Sequence, residues 1–312
     1  YNGSLIETRG IITLKCRVKN KIDQLNFYVT SDINGIPILG LQSCIALNLI
    51  QRIFQVEILT EEILTTKYEE LFHGIGCIKD NFTIELKNEA KPVAKPARRI
   101  PLSLREPLKE TLKKMCTNDI IEKCESPSSW ISNLVIVEKP NKTLRICLDP
   151  KELNLAIKDN FHEIPKFDQI KPRLVNKKLF SVFDLKDGFW QIALCPKSKE
   201  ICTFSTPFGC YRFKRLPFGI KIAPEAFQKI NEENFAGIEN IIIYIDDILV
   251  VAENEKEHDI TVSLVMERAR KNNVKFNLNK MQWKKKQVMF LGHKISAEGV
   301  ECDKNRLKGI ED

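Results

Sequence analysis

The sequence predicts an α+β fold, and three observations carry that expectation. Short runs rich in β-branched and aromatic residues recur along the chain, as in Leu134-Val135-Ile136-Val137, Leu144-Arg145-Ile146-Cys147-Leu148 and Leu179-Phe180-Ser181-Val182-Phe183. Segments with helical spacing alternate with them, notably Leu108, Leu112 and Met115 and the stretch 257–272. Two apolar arms, Ile241-Ile242-Ile243-Tyr244-Ile245 and Ile248-Leu249-Val250-Val251-Ala252, flank Asp246-Asp247 in the pattern of a hairpin with acids at its tip.

Residues 1–50 alternate in the β manner through Ile11-Ile12-Thr13-Leu14 and Leu25-Asn26-Phe27-Tyr28-Val29. They close with Ile36-Pro37-Ile38-Leu39-Gly40-Leu41 and a short apolar helix through Cys44, Leu47 and Ile50. Residues 51–102 shift to a charged helix, a strand at Phe82-Thr83-Ile84-Glu85-Leu86 and a strap punctuated by Pro92, Pro96 and Pro101. Proline fixes φ and favours extended backbone, so this stretch reads as a connector. A compact domain spans residues 103–312. Ser103 with Glu106 gives a capping-box pattern that opens a helix on Leu108, Leu112 and Met115. The strands at 134–137 and 144–148 read as a hairpin around Pro140-Asn141-Lys142. Strand 179–183 runs into a Gly-containing helix start. A helix over 257–272 would put Ile260, Leu264 and Ala269 on one face, and Val288-Met289-Phe290-Leu291-Gly292-His293-Lys294-Ile295 closes the pattern as a hairpin.

A length of 312 residues leaves room for about two domains. A hydrophobic content of 43% supports a substantial core and excludes disorder as the default. The net charge of +8 says less than its distribution, because residues 260–300 hold nine Lys or Arg against Glu267 and Glu298. That excess suits a polyanion such as nucleic acid, and equally a solvated lysine-rich face. The ten cysteines form no C-x-x-C pair, and His73, His162, His258 and His293 are not spaced to join them as zinc ligands. They read as small buried hydrophobes in a reducing, intracellular setting. The longest apolar runs have strand length, so no membrane span is expected. The chain begins at Tyr1 without methionine and both ends read as cut, the expectation being a piece of a longer polyprotein.

An acidic pair in a hairpin turn is common at protein surfaces. Here both arms are apolar enough to be buried on both faces, which holds the tip against protein, where unpaired carboxylates are costly. A divalent cation removes that cost, and hard oxygen ligands suit Mg²⁺. Asp184 follows the strand 180–183 directly, and strand-end and hairpin-tip carboxylates on one sheet can converge. Two metals held there could activate a 3′-hydroxyl and stabilise a leaving pyrophosphate.

These residues also carry a resemblance. Tyr244-Ile245-Asp246-Asp247 resembles the Tyr-x-Asp-Asp box of reverse transcriptases, and Phe183-Asp184-Leu185-Lys186-Asp187-Gly188-Phe189 resembles their first catalytic motif. Thr206-Pro207-Phe208-Gly209, Leu216-Pro217-Phe218-Gly219-Ile220 and Ala223-Pro224-Glu225-Ala226-Phe227-Gln228 match the gypsy-type signature between those boxes. Phe290-Leu291-Gly292-His293 is similar to the primer-grip hairpin, and Arg145-Ile146-Cys147-Leu148-Asp149-Pro150-Lys151-Glu152-Leu153-Asn154 to the fingers segment. The match covers residues 96–312 in the family's order. It implies a fingers–palm–thumb polymerase fold with the thumb incomplete.

The resemblance further implies that Asp184 and Asp246 hold two Mg²⁺ ions, with Mn²⁺ as a substitute, that Asp247 completes the acidic site, and that the Leu185 carbonyl adds a ligand. Arg145 would contact the triphosphate of a dNTP, a guanidinium fork suiting phosphate oxygens. Phe189 would be the steric gate against a ribose 2′-hydroxyl, with a core aromatic of its helix as the alternative. Phe218 and Gly219 would line the nucleotide pocket, and Tyr244, Leu291, Gly292 and His293 the primer and template. Two departures stand out: Glu138 occupies an expected basic place, leaving Lys139 as the nearest substitute, and Pro150 replaces an aromatic. Residues 1–50 resemble the C-terminal half of a retropepsin, an all-β segment lacking the Asp-Thr-Gly motif, through Ile38-Leu39-Gly40 and the helix after it. A bland β segment is the other reading.

The implied partners are an RNA or DNA template with primer, dNTPs, and flanking protease, ribonuclease H and integrase domains. The implied setting is the cytoplasm, a virus-like particle or the nucleus. The rival reading is a decayed or domesticated fragment that binds nucleic acid without polymerising. Lys284, Lys285 and Lys286 beside Trp283 suit either duplex phosphates or a solvated turn. His258 beside Glu257 reads as solvated at a helix start.

Overall fold

The computed structural model describes residues 8–18, 21–30, 39, 43–44, 59–125, 128–138, 140 and 142–302. The chain divides into two compact units, residues 1–56 and 57–312. In the first, β1 (Thr8–Val18) and β2 (Lys21–Thr30) pair antiparallel over their full length. Leu25 is buried, whereas Ile11, Ile12, Leu14 and Tyr28 are exposed. The Ile38-Leu39-Gly40 signal and the helix through Leu47 and Ile50 lie largely outside the described residues.

The second unit opens with α1 (Glu61–Lys67), capped by the Thr60 side chain, which accepts the Ile63 N–H. β3 (Lys79–Phe82) and α2 (Leu102–Thr117) follow, then β4 (Ile121–Lys123), β5 (Asn133–Glu138), β6 (Leu144–Asp149) and α3 (Lys151–Ala156). After α4 (Phe167–Ile170) come β7 (Leu179–Asp184), a 3₁₀ turn (Gly188–Gln191), β8 (Ile192–Leu194) and α5 (Pro196–Ile201). Next are β9 (Thr203–Thr206), β10 (Gly209–Phe213), α6 (Ala223–Asn234), β11 (Ile241–Tyr244) and β12 (Asp247–Ala252). The described chain ends with α7 (Glu255–Lys271), β13 (Gln282–Lys285), β14 (Gln287–Phe290), β15 (His293–Ser296) and β16 (Gly299–Cys302).

The central sheet has the order β11-β12-β7-β13, flanked by separate sheets β4-β10-β9 and β14-β15-β16 and the pairs β3-β8 and β5-β6. Its inner strands β12 and β7 are buried on both faces, as their apolar runs require. Side chains alternate by residue: Phe183, Ile248 and Val250 enter the larger core, and Phe180, Val182, Leu249 and Val251 enter a second core with Val288, Phe290 and Ile295. Each fully buried side chain of this size contributes about 1.5–3 kcal/mol, so the sheet is a stiff platform for whatever its ends carry.

Several local expectations are corrected. The helix over 102–117 begins at Leu102 after Pro101 with no side-chain cap hydrogen bond, so the Ser103–Glu106 capping box does not form. Proline at 101 already sets extended backbone before the helix, which moves the boundary upstream. The strand expected at 82–86 lies at Lys79–Phe82, parallel to β8. Residues 59–84 are also integral to the main unit, since Leu59, Leu64, Tyr68, Leu71, Phe72, Ile78 and Ile84 are buried in its core. In α7 the buried face is His258, Thr261, Val262, Val265, Met266 and Ala269, whereas Ile260 and Leu264 are exposed. His258 is therefore fully buried and not solvated. Polar residues on the core face hid the true stripe, because periodicity reads only apolar positions.

Candidate active site

Three carboxylates meet at one end of the central sheet. The β7–β12 register sets Asp247 directly opposite Asp184, and Tyr244 pairs with Asp247 across the turn that carries Ile245 and Asp246. Ile245 sits at φ 49°, a left-handed conformation that a β-branched residue adopts only when its surroundings enforce it. Two fully buried α6 amides do so. Gln228 accepts the Ile245 N–H at 2.7 Å and donates to the Ile243 carbonyl at 3.0 Å, and Asn231 donates to the Ile245 carbonyl at 3.0 Å. On the other side the Leu185 N–H donates to the Asp246 carbonyl at 2.6 Å. Gly188 lets the following loop close over Asp246, since a Cβ there would lie 2.4 Å from Asp246 Oδ1.

The acids are electrostatically crowded. Among the described residues, the buried Asp246 Oδ1 finds no hydrogen-bond partner. Burial, then Asp184, then Asp247 push the Asp246 carboxyl up to about 6, and burial followed by Asp184 pushes Asp247 up to about 6 as well. The Lys280 ammonium lies 2.8 Å from Asp184 Oδ2, and that hydrogen bond holds the amine above its usual range. The donor set suits a hard divalent cation, which would satisfy the orphaned oxygen and relieve the repulsion. Among the described residues, no group of three or more His, Cys, Asp or Glu side chains is placed to hold a metal ion by itself. Mg²⁺ does not need one: it commonly binds through one or two carboxylates, keeping water and substrate phosphates as its other ligands.

The acids open into a cleft of about 430 Å³ whose walls include Thr143, Arg145, Asp184, Gly188, Trp190, Phe218, Asp246 and Lys280. The Arg145 guanidinium sits 4.1 Å from the Phe218 ring centroid, which presents a cation on an aromatic plate beside the acids. Phe218 is set by its backbone: its carbonyl accepts the Leu148 N–H at 3.0 Å. Gly219 has φ +107°, and a Cβ there would lie 2.1 Å from the Leu148 carbonyl oxygen. Glycine at 219 is thus required for the close approach to β6. Phe189 is buried, its ring 5.1 Å from Phe218 and 5.4 Å from Phe227, and the cleft wall at this point is Gly188 and Trp190.

The remaining expected site residues lie elsewhere. Leu291 and Gly292 both have positive φ in the β14–β15 turn, and His293 stacks on Phe167 with centroids 4.0 Å apart. Lys284 is directed to Asp259 at 2.9 Å, whereas Lys285 and Lys286 are exposed. Lys139 lies outside the described residues. Lys280 and Trp190 escaped sequence reading, because a lone Lys and a lone Trp carry no pattern. The Asn277 N–H donating to the Asp184 carbonyl at 2.8 Å and the Leu185↔Phe276 bridge bring the Lys280 turn to the acids.

Comparison with known proteins agrees with this geometry. The family described as "Reverse transcriptase (RNA-dependent DNA polymerase)" matches residues 137–295, which is 159 of 312 residues. The chain is 34% identical over 236 residues to the "Retrovirus-related Pol polyprotein from transposon 412" of Drosophila melanogaster, covering 73% of this chain and 19% of that protein. It is 31% identical over 217 residues to the "Enzymatic polyprotein" of Cauliflower mosaic virus (strain Strasbourg), covering 68% of this chain and 32% of the relative. The chain thus spans a fifth to a third of the length of these relatives. Among solved structures, the foamy viral protease-reverse transcriptase in complex with RNA/DNA hybrid aligns with a TM-score of 0.72 at 19% identity, over 97% of this chain and 44% of that one. The same protein in complex with dsDNA aligns with a TM-score of 0.72 at 21% identity, over 81% of this chain and 55% of that one. At such identities the likeness is one of fold. Asp184, Asp246, Asp247 and the Arg145–Phe218 wall all fall inside the matched span, and the chain belongs to the reverse transcriptase (RNA-dependent DNA polymerase) family.

Proposed function

We propose that this chain is the polymerase part of a retroelement Pol polyprotein that copies RNA or DNA templates into DNA by adding dNTPs to a primer 3′-hydroxyl. The observation that carries this reading is the placement of Asp184 and Asp246 in one cleft with the Arg145 guanidinium, with Asp247 directly opposite Asp184 in the strand register. Residues 1–50 are assigned to the end of a retropepsin-like protease, and 103–312 to fingers, palm and the start of a thumb. Flanking protease, ribonuclease H and integrase domains belong to the same proposal, as does a site of action in cytoplasm, virus-like particle or nucleus.

Asp184, Asp246 and Asp247, with the Leu185 carbonyl, would hold two Mg²⁺ or Mn²⁺ ions. Bound there, the ions supply charge for the attacking 3′-oxygen and the leaving pyrophosphate of an in-line displacement. The protein's own groups do the rest. Arg145, steadied on Phe218, grips the triphosphate with its planar fork. Phe218 and the backbone of Gly219 shape the floor under the incoming base. Phe189 backs the wall nearest the sugar and restricts the space left for a 2′-hydroxyl. Tyr244 and the Leu291-Gly292-His293 turn seat the primer end, and the exposed Lys285 and Lys286 are assigned to the duplex path, whereas Lys284 is held by Asp259.

The test is metal-dependent primer extension. Asp184→Asn should lower kcat by at least about 10³-fold, the order expected when a main electrostatic contact to the transition state is lost, while template–primer binding stays near the parent. Parental extension by that variant would sink the assignment.

A further inference from the structure

A second buried cluster lies away from the cleft. Ser181 Oγ is 2.8 Å from His258 Nε2, and His258 Nδ1 is 2.9 Å from Asp259 Oδ1. A serine–histidine–acid order invites comparison with a nucleophile. Yet Ser181 and His258 have no exposed surface and Asp259 is 3% exposed, so no substrate reaches them. The partners fix the protonation instead. The carboxylate accepts the Nδ1 hydrogen, which leaves Nε2 to accept the Ser181 hydroxyl. Ser181 Oγ in turn accepts the backbone N–H of Lys284 at 2.8 Å. Asp259 also accepts the Leu59 N–H at 3.1 Å and holds the Lys284 ammonium at 2.9 Å. The charged groups facing the imidazole are Asp259 and Glu255 from its own helix and Lys284 from β13, and β7 offers only the Ser181 hydroxyl. Burial keeps the imidazole below its usual range and therefore neutral.

The place of this relay gives it meaning. β13 pairs with β7 through Gln282↔Val182 and Lys285↔Phe180. Two residues, Trp283 and Lys284, therefore stand opposite the single Ser181, which is a β-bulge. Lys284 has φ 42°, a conformation normally left to glycine. Its N–H has left the ladder and is recovered by the Ser181 side chain, while the Trp283 ring packs edge-on to His258 with centroids 5.3 Å apart. On one side of this bulge, β7 ends three residues later at Asp184. On the other, Gln282 grips Met289 of β14 through two 2.8 Å hydrogen bonds. Past Met289 lies the Leu291-Gly292-His293 turn.

We infer that Ser181 and neutral His258 are positioning residues, which lock the β13 bulge and so set the β14–β15 turn against the strand that carries Asp184. The consequence for catalysis rests on the polymerase reading, in which that turn seats the primer end. A loosened bulge would misplace the primer terminus and leave the nucleotide cleft intact.

Two measurements on the full chain test this. Hydrogen exchange reads the joint directly and needs no nucleic acid. Ser181→Ala and His258→Ala should each speed exchange at the Lys284 and Met289 amides by about tenfold or more, with the β11–β12 amides unchanged. His258→Gln, whose side-chain oxygen can replace Nε2 as acceptor, should recover most of the protection. In primer extension, Ser181→Ala and His258→Ala should raise KM for template–primer by about tenfold while KM for dNTP stays within about twofold, and the double variant should be no worse than either alone. Parental exchange at Lys284 in Ser181→Ala overturns the relay. Faster exchange across the whole central sheet, or a common fall in kcat with both KM values unchanged, overturns positioning in favour of plain stability. A parent that does not extend primers refutes the polymerase reading, and the exchange pattern still decides the joint.

Discussion

Asp246 has one carboxylate oxygen that finds no partner among the described residues, and its cost can be read as stability. Its folded carboxyl sits at about 6, against about 3.9 when unfolded. A raised folded value means that the native state favours the protonated acid. The stability tied to that proton is fully present below the unfolded value and is lost as pH rises through about 6. At pH 7 the buried charge is therefore a burden. In chelator-treated protein, Asp246→Asn should stabilise at pH 7 by about 1–2 kcal/mol, a few degrees in Tm, with the gain shrinking by pH 5. The same variant should lose primer extension. A drop in Tm of equal size at both pH values would show that the Asp246 charge is not what strains the site. Phe189 poses a different question, since its ring packs on Phe218 and Phe227 and the cleft wall beside it is Trp190. Phe189→Val removes volume behind that wall at about 1–3 kcal/mol. The expected result is a ribo-to-deoxynucleotide ratio of kcat/KM raised by at least about tenfold. An equal fall for both nucleotides would make Phe189 a core aromatic and nothing more.

The turn between β11 and β12 holds an isoleucine in left-handed backbone, strain of about 1–3 kcal/mol that the turn cannot sustain alone. Gln228 holds it from α6, and Gln228→Ala would strand the half-buried Ile243 carbonyl and Ile245 N–H. We expect a loss of about 2–4 kcal/mol by denaturant unfolding. We also expect a kcat for single-nucleotide incorporation reduced by at least about tenfold with template binding retained. A parental kcat in the folded variant would mean that the turn keeps its shape without the amide. The hairpin was legible because two short, continuous apolar arms rich in β-branched residues flank an acidic two-residue turn. Its support was not, since Gln228 and Asn231 look like polar errors on the core face of an amphipathic helix. The same holds for α7, where His258, Asp259 and Thr261 occupy buried positions and the exposed Ile260 and Leu264 drew the stripe to the wrong side. Periodicity finds elements whose burial is apolar and misses those whose core face is a hydrogen-bonded network.

Over the whole molecule, the basic excess at 260–300 is mostly consumed internally. Arg270 pairs with Glu70 and Glu267, Lys280 with Asp184, Lys284 with Asp259 and Lys294 with Glu301. Arg268 donates to the Asn234 and Ala236 carbonyls, and Lys275 to the Glu70 carbonyl. Counting charges along the chain could not reveal this, because several of these partners lie far away in sequence, among them Glu70 on the stretch 51–102 that read as a connector. The structure therefore separates three adjacent lysines that looked equivalent. Lys285 and Lys286 are exposed and can release condensed counterions from a duplex, each contact adding about 0.9 to the slope of log affinity against log salt. Lys284 is tied to Asp259 and should add nothing to that slope. Replacing Lys285 and Lys286 together by Ala should lower the slope by about 1–2 and leave the melting temperature close to the parent. Lys284→Ala should do the reverse, keeping the slope and destabilising the fold, because it leaves the nearly buried Asp259 without its cation. Fluorescence anisotropy of a labelled template–primer across a salt series, paired with thermal melts of each variant, distinguishes the two effects. A slope that falls for Lys284→Ala and holds for the double variant would reverse the assignment, placing Lys284 and not its neighbours on the duplex.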